Sequence, residues 1–388
     1  MKHTFILLFF LTAVPGILSA NTDIQTVLKH IERNNLTLKA IRHEQKAGIL
    51  DLKADNTPAG PSVEYSPFYR SGYSGIAESE LIVSEEIEFP TKYAARSRQV
   101  RLQHHANESL YQGARRDVLL QAQQLCFDII RVGKTMEMLR KRLANSELLL
   151  KMFEKRMASG DANILEVNKV KLDCMDVLSL VAETEREHTS LMQQLQQLNG
   201  GEAITVEATD YPVFPDIADI GTMAAADADI LAAEATLRVS EQEVSISRQT
   251  WLPNLTIGYR RNTEMEESAN GVMVGVAFPL LARKSKVKAA KERRAYAELQ
   301  LQQLQQATIS TMQARLDELR SLQRVIDHSD VEMMNQTLVL LGKALQHGEI
   351  SALQYYTEIN GIYEKLQAYI NVQCQKAKLQ AELHKNSL

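Results

Sequence analysis

The sequence predicts a mainly α-helical chain with a small β portion, in which duplicated long helical hairpins are combined with four β-strands. Three observations lead to this prediction. The chain of 388 residues contains only 9 Pro and 17 Gly, which leaves long stretches without a helix breaker. Four short segments alternate apolar and polar residues with the two-residue period of strands. The same order of elements occurs twice, as an internal duplication requires.

The duplication appears as pairs of matching motifs in the two halves. The pairs are Leu38-Lys39-Ala40 with Leu231-Ala232-Ala233, Pro61-Ser62-Val63 with Pro253-Asn254-Leu255, Glu88-Phe89-Pro90 with Ala277-Phe278-Pro279, and Gly160-Asp161 with Gly348-Glu349. The distance between matching residues falls slowly along the chain, as small loop deletions would cause. Each half therefore has the order helix, strand, turn, strand, very long helix, Gly turn and long helix.

Composition and periodicity divide the chain into four parts. Residues 1–20 are predicted to be a signal peptide. The first repeat is 21–199, with a strand pair at about 62–89 and a hairpin at 91–199. A linker occupies 200–222. The second repeat is 223–388, with a strand pair at about 254–278 and a hairpin at 280–386.

The first part has the features of a secretory signal. Lys2 precedes an apolar run from Phe5 to Val14, and Ala20 is a small residue suited to cleavage. The alternative is a transmembrane anchor, but the run is too short to span about 30 Å of hydrocarbon. The linker is marked by Gly200-Gly201 and two prolines, and residues 203–206 form a possible short strand within it.

The hairpins are predicted from apolar residues that recur at steps of four and three. The first outgoing arm has Val118, Ala122, Leu125, Ile129, Val132, Met136, Leu139, Leu143, Ser146, Leu150, Phe153 and Met157. Its return arm has Val167, Val170, Cys174, Val177, Val181, Thr184, His188, Leu191, Leu195 and Leu198. This heptad pattern is typical of a coiled coil, and Gly160 ends the first arm.

The second hairpin has a weaker seam, because Gln323, Asp330 and Thr337 interrupt its outgoing arm. We therefore expect water to reach part of the helix face that has this seam. The first outgoing arm, from Thr91 to Met157, would be about 100 Å long at ~1.5 Å per residue. Such a rod cannot bury all its apolar stripes within one chain, so we expect an oligomer.

The strand segments are about 8 to 12 residues long, the length that a tilted strand needs to cross a bilayer. Each has one apolar side and one polar or small side, as in Val272, Val274 and Val276 against Gly271 and Gly275. The links between paired strands are expected at 70–75 and 263–269. The alternative is a soluble sheet packed on the helices. Four strands cannot close a barrel, which needs about eight, whereas three chains would supply twelve.

Several function classes find no support in the sequence. The net charge is -4, so no basic face indicates a nucleic-acid partner. Cys126, Cys174 and Cys374 form no C-x-x-C pair, and we interpret them as buried side chains. His188 and the Met333-Met334 pair are better explained as core residues than as metal ligands. No nucleophile elbow, H-E-x-x-H or Gly-rich phosphate loop occurs, so no catalytic, cofactor or metal site is predicted.

The ordered, doubled motifs resemble those of the outer membrane factor (TolC) family over nearly the whole mature chain. Residues 35–40 are similar to the family's Asn-Pro-x-Leu-x-Ala opening, with Leu36 in place of Pro. Residues 252–255 match its Leu-Pro-x-Leu strand entry. Phe89-Pro90 and Phe278-Pro279 match its aromatic-Pro exit into the long helix.

The resemblance implies a homotrimer with a 12-stranded transmembrane barrel in the outer membrane of a Gram-negative cell and a long helical tunnel in the periplasm. It also implies a periplasmic adaptor (membrane fusion protein) and an inner-membrane pump. The hairpin tips are the predicted adaptor contact and gate. They comprise Gly160, Asp161, Glu166, Gly348, Glu349 and Gln354.

The resemblance also implies how a closed tip is held, by contacts among a carboxylate, Tyr and Arg. Glu166 lies where the carboxylate is expected. In the second tip the Tyr, Arg and two acidic positions are occupied by Leu345, Ile350, Gln354 and Thr357. The family's lock is therefore not expected in its usual form.

The function implied is passive conduction of substrates from a pump and adaptor across the periplasm and outer membrane, as part of a tripartite efflux system. Heavy-metal cations, drugs and proteins are all open as the transported class. A periplasmic adaptor or coiled-coil scaffold is the alternative, although adaptors usually have one hairpin flanked by β-rich domains. An enzyme is not expected.

Overall fold

The computed structural model describes residues 24–217, 219–264, 267–278 and 283–388, so the predicted signal peptide lies outside it. The first half contains α1 (Ile24–Asn34), α2 (Leu36–Ala54), β1 (Ser62–Phe68), β2 (Glu78–Glu88), α3 (Pro90–Ala158) and α4 (Ile164–Leu198). The second half contains α5 (Ile220–Ala225), α6 (Ala228–Arg248), β3 (Asn254–Glu264), β4 (Glu267–Ala277), α7 (Arg283–Asp327), α8 (Val331–His347) and α9 (Ala352–Leu383). Every described helix is too short or too polar to cross a bilayer.

Three local predictions were wrong. The second outgoing arm is two helices rather than one, because Asp330 ends the seam as an N-cap whose side chain accepts a hydrogen bond from the Met333 N–H at 2.8 Å. Residues 203–206 run along the helices without strand pairing. The expected link at 263–269 is shorter, since Thr263 and Glu264 belong to β3 and residues 267–269 to β4.

The long helix α3 begins with Pro90 at its first position, where the missing N–H costs nothing. The apolar seam of α3 packs against α4 through most of the seam's length, and the two helices form an antiparallel hairpin. Towards the tip the buried series becomes Leu139, Arg142, Ser146, Leu149 and Phe153. The seam is therefore shifted by one residue from the predicted Leu143 and Leu150.

The largest core lies at the middle of the rod, where α1, α3, α4 and α9 meet. The linker wraps across it, so that the Tyr211 and Phe214 rings meet Phe127 edge-on with centroids 5.6 Å and 6.4 Å away. Cys126 and Cys374 are buried in this core, as expected, whereas Cys174 is half-buried. Burial raises the pKa of the Cys126 thiol to about 12, so the thiol stays protonated.

The four strands form one antiparallel sheet in the order β1-β2-β3-β4. Its register places most of the large apolar residues on one face, whereas Phe68, Ile82 and Met273 lie on the other. The residues of the apolar face are Val63, Tyr65, Leu81, Val83, Ile87, Leu255, Ile257, Tyr259, Val272, Val274 and Val276. Glu85, opposite Ile257, and Arg261, opposite Leu81, interrupt this apolar face. The outer strands β1 and β4 each leave one edge unpaired by the described residues.

Next to the sheet, four helices lie side by side in the order α2, α3, α6, α7, since each contacts its neighbour in this row. This order matches the strand order, because β1 follows α2, β2 leads into α3, β3 follows α6 and β4 leads into α7. The sheet and the helical row are therefore one layer that continues across the strand–helix junctions.

A buried ion cluster joins the two halves at the start of α6. Asp227 caps α6 by accepting from the Asp229 N–H at 2.9 Å, and it pairs with Arg116 of α3 at 3.3 Å and with Lys385 at 3.2 Å. Burial by itself raises the pKa of the Asp227 carboxyl. The Asp229 N–H and the Lys385 ammonium favour the charged form more strongly, so this pKa is lowered overall.

We predict that Asp227→Asn lowers the free energy of unfolding at neutral pH by about 1–3 kcal/mol, because it removes the buried carboxylate that caps α6 and pairs with Lys385, while Arg116 keeps its closer partners Asp117 at 2.7 Å and Asp229 at 2.9 Å. A lowered carboxyl pKa contributes stability above the ordinary pKa and loses it as the pH falls through the lowered value. Thermal unfolding at several pH values should therefore show a steeper acid decline for the wild type. Asp229→Asn, whose side chain is 44% exposed, is the control with a smaller loss. Equal losses would contradict this role of Asp227.

Candidate functional site at the hairpin tips

Each hairpin turns at a glycine whose backbone favours that residue. Gly160 has φ of +84° and Gly348 has φ of +78°, both in the left-handed region. Gly348 closes α8, and its N–H bonds to the Leu345 carbonyl at 3.2 Å. The two turns lie together, since a Cβ added to Gly348 would be 3.9 Å from the Arg156 guanidinium.

The return helices start with the same device in both repeats. Asn163 and Glu166 form a capping box, with each side chain bonded to the other's backbone N–H at 3.0 Å. Ser351 and Gln354 repeat it, at 3.1 Å and 3.2 Å. Glu166 and Gln354, both predicted as tip contacts, thus have a local role in starting α4 and α9. Asp161 and Glu349 lie exposed beside the turns.

The tips share a compact apolar cluster. Its buried members are Leu149, Phe153, Val167, Val170, Leu345, Ala352, Tyr355, Tyr356 and Ile359. Leu345 is therefore a core residue of this cluster, and Ile350 packs against it. Thr357 donates from its hydroxyl to the Leu353 carbonyl within α9 at 2.9 Å. These three residues and Gln354 form local contacts here in place of a Tyr, an Arg and two acids.

A buried polar network lies farther up the hairpins and joins α3, α4 and α9. The Arg142 guanidinium donates from Nη2 to Asp173 Oδ1 at 2.7 Å and to Asn360 Oδ1 at 2.7 Å. Ser146 donates from Oγ to the other Asp173 oxygen at 2.6 Å. The Tyr363 ring lies 4.8 Å from the Arg142 guanidinium, a cation–π distance.

The tyrosines around this network are neutral at any physiological pH. Burial is the main cause that raises the pKa of Tyr363 to about 12, and burial likewise raises the pKa of Tyr355 and Tyr356. The Tyr355 hydroxyl accepts from the Asn145 amide at 2.8 Å. The charged pair in this region is therefore Arg142 with Asp173, both buried.

The sequence pattern did not reveal this network, although Ser146 offered a signal as the one polar residue in its arm of the seam. Asp173, rather than the predicted Cys174, fills the seam position of α4. His188 is exposed, so its interpretation as a core residue was wrong. Met334 is buried but Met333 is 52% exposed. Among the described residues, no group of three or more His, Cys, Asp or Glu is placed to hold a metal ion.

The second candidate surface is the polar face of the sheet, which is rich in carboxylates. They are Glu64, Glu78, Glu80, Glu86, Glu88, Glu264 and Glu267. Arg260 lies among them and pairs with Glu80, while Arg70 pairs with Glu78 at 2.9 Å. Most carboxylates thus lie on one face of the sheet and most large apolar side chains on the other.

Comparison with solved structures identifies this architecture. CusC, described in terms of folding and transmembrane channel formation, superimposes with a TM-score of 0.79 at 16% identity over 95% of this chain and 92% of its own. The Campylobacter jejuni outer membrane channel CmeC superimposes with a TM-score of 0.78 at 14% identity over 94% of this chain and 85% of its own. The Vibrio cholerae outer membrane protein VceC superimposes with a TM-score of 0.74 at 15% identity over 94% of this chain and 95% of its own.

The chain has the fold of outer-membrane channels. The resemblance predicted from the doubled motifs is thus confirmed at the level of the fold. No family model matches the sequence, and a comparison with curated proteins finds no match. The mainly helical class with a four-stranded sheet is confirmed too.

We predict that Asp173→Asn destabilises the protein by about 3–5 kcal/mol, because it leaves the Arg142 charge buried without a counter-charge. The double variant Arg142→Met with Asp173→Leu should recover most of this loss, since it removes both charges. Thermal unfolding followed by circular dichroism measures the difference. Glu154→Gln breaks the exposed Lys171 pair at 3.3 Å and should cost less than about 1 kcal/mol. A double variant as unstable as Asp173→Asn would refute the argument.

Proposed function

We propose that this chain is the outer-membrane channel of a tripartite efflux system, located in the outer membrane of a Gram-negative cell. Three copies form a 12-stranded barrel continued by a helical tunnel. An inner-membrane pump and a periplasmic adaptor deliver substrates, which the channel conducts passively. The fold shared with outer-membrane channels supports this proposal.

The observation on which the proposal mainly rests is the matching order of strands and helices. The open edges of the sheet are β1 and β4, and the outer members of the helical row are α2 and α7. These elements are joined in sequence, α2 to β1 and β4 to α7. Pairing β4 of one copy with β1 of the next therefore places α7 beside α2, and one ring closes both layers.

The sheet has the dimensions and polarity that a membrane wall requires. The strands β2, β3 and β4 have 11 residues each, about 36 Å of extended chain at ~3.3 Å per residue. Tilted by about 45°, they span roughly 25 Å, the height of the apolar band in such barrels. Val272 and Val274 on the apolar face are 80% and 74% exposed in the single chain, which suits contact with lipid.

The helical rod has apolar stripes that one copy leaves uncovered. Leu172, Met175 and Leu178 of α4 are exposed, as are Val339 and Leu340 of α8. Apolar surface of this extent is buried by neighbouring hairpins in a ring, which agrees with the expectation of an oligomer. At the tips, Leu165 and Leu353 occupy equivalent positions beside the capping boxes and are also exposed. They suit contact with an adaptor.

We predict that Val274→Lys impairs insertion of the chain into lipid vesicles, by about 2–4 kcal/mol if the residue lies at mid-bilayer. Met273→Lys is the matched control, because it is the adjacent residue on the opposite, polar face. Protease protection and heat-modifiable trimers measure insertion. Insertion that is unaffected by Val274→Lys, or blocked equally by both variants, would contradict a lipid-facing apolar surface.

We also predict that the tips gate conduction. In a variant with Asp161→Cys and Glu349→Cys, both exposed beside the turns, a bifunctional thiol reagent should lower single-channel conductance, and cleavage of the linker should restore it. These positions avoid the left-handed glycines. The chain with only its native cysteines, treated with the same reagent, is the control. Unchanged conductance in the crosslinked trimer would count against tip gating.

A further inference from the structure

The helix α3 shows which side of the helical row continues each face of the sheet. Lys92 donates from Nζ to Asn254 Oδ1 at 3.0 Å, and both Lys92 and Arg96 pair with Glu88. Asn254 and Glu88 are opposite each other on the polar face. The side of α3 with Lys92 and Arg96 therefore continues the polar face, and the side with exposed Arg98 continues the apolar face.

The remaining two sides of α3 are covered by its neighbours. Asn56, just after α2, donates to the Tyr93 carbonyl at 3.2 Å. Gln242 of α6 donates to the Ala95 carbonyl at 2.9 Å. The helical row is thus one helix thick, with a single polar-side and a single apolar-side surface.

The helix α7 contacts α6 through buried Ala290 and an ion pair between Arg294 and Glu241 at 3.4 Å. Like α3, α7 begins next to the sheet and runs away from it, but it lies on the other side of α6. For a viewer who looks from the sheet along either helix, successive residues of a right-handed helix turn clockwise. On α3, the polar side is reached by turning clockwise from the side that contacts α6. Because α6 lies on the opposite side of α7, the polar side of α7 is reached by turning counterclockwise from its α6 contact.

With 3.6 residues per turn, the exposed cations of α7 divide between these two sides. Lys284, Lys288 and Lys291 lie clockwise from the α6 contact, on the apolar-face side. Lys286 and Arg293 lie counterclockwise, on the polar-face side.

The charged residues of α2 can be assigned to the two sides in the same manner, with the sense of rotation reversed because α2 runs towards the sheet. The cations Lys46 and Lys53 lie on the apolar-face side, and the acids Glu44, Asp51 and Asp55 lie on the polar-face side.

Six exposed cations thus lie on the surface directly beneath the apolar band. They are Lys46, Lys53, Arg98, Lys284, Lys288 and Lys291, and we call them the basic collar. All lie within eight residues of the helix end nearest the sheet, or about 12 Å at ~1.5 Å per residue. Within the described part of the chain, none of the six forms an ion pair.

We propose that the basic collar binds the anionic phospholipid headgroups of the inner leaflet, an inference that rests on the proposed insertion of the sheet in the outer membrane. The collar lies at the depth of the headgroups and on the side that meets lipid. Cations near an anionic leaflet each strengthen binding roughly five-fold, and the effect fades within about a Debye length of ~8–10 Å. Three copies place the collar around the channel on α2, α3 and α7 of each copy.

The test measures binding of short-chain phosphatidylglycerol to the detergent-solubilised full chain, with short-chain phosphatidylcholine and inorganic phosphate as comparisons. Two double variants change the same charge on the same helix. Lys284→Gln with Lys291→Gln should weaken phosphatidylglycerol binding roughly 30-fold, from about five-fold per cation. Lys286→Gln with Arg293→Gln, on the polar-face side, should bind as the wild type does. Arg98→Gln on α3 provides a second, independent variant with an expected loss of about five-fold.

Equal losses in the two double variants, or no preference of the wild type for phosphatidylglycerol over phosphatidylcholine, would overturn the collar. Full displacement of the lipid by inorganic phosphate at equal concentration would overturn the lipid as its ligand. Insertion into phosphatidylcholine vesicles separates this inference from the proposed function. A wild type that fails to insert refutes the channel itself, whereas insertion without a preference for phosphatidylglycerol refutes the collar alone.

Discussion

The structure depends on the covalent continuity between each strand and one helix of the row beside it. A sheet with two unpaired edges exposes backbone donors and acceptors, and in a membrane these groups have no water to bind. Because β1 to β4 and α2, α3, α6, α7 share one order, satisfying the sheet edges also brings the outer helices together. In the proposed ring neither layer could close independently of the other, which gives a reason for the duplication to keep strand pair and hairpin as one unit.

The two repeats use this unit differently. The first hairpin is held by an unbroken α3 whose seam is buried from Leu119 to Phe153. The second is interrupted at Asp330, and its outgoing helices leave Val325, Met333 and Leu340 exposed. Both hairpins contribute to the buried cores, and both leave apolar side chains exposed, such as Leu172 and Met175 of α4 in the first and Leu340 of α8 in the second. The two copies of the unit thus differ in the continuity of their outgoing helix rather than in their share of the core.

The sequence could predict the elements whose signals are local and periodic. The heptad spacing identified the long arms, and the two-residue alternation identified which residues of β2, β3 and β4 share a face. It failed where a polar residue had two possible roles. Asp330 fits both a wet seam position and an N-cap, and only the chain geometry decides between them. Arg142 and Asp173 were missed because a buried ion pair requires a partner on another helix, which spacing along one helix cannot show.

The buried network also bears on how the tips can move. Arg142 and Asp173 belong to the same hairpin, so their ion pair joins α3 to α4, whereas Asn360 and Tyr363 belong to α9. A shift of α9 against the first hairpin breaks the contact with a neutral amide and a ring, and it leaves the charges paired. Separating the charges themselves would cost several kcal/mol. Such a shift would also disturb the apolar tip cluster and the Asn145–Tyr355 hydrogen bond, so the ion pair is the part of this region that depends on the first hairpin alone.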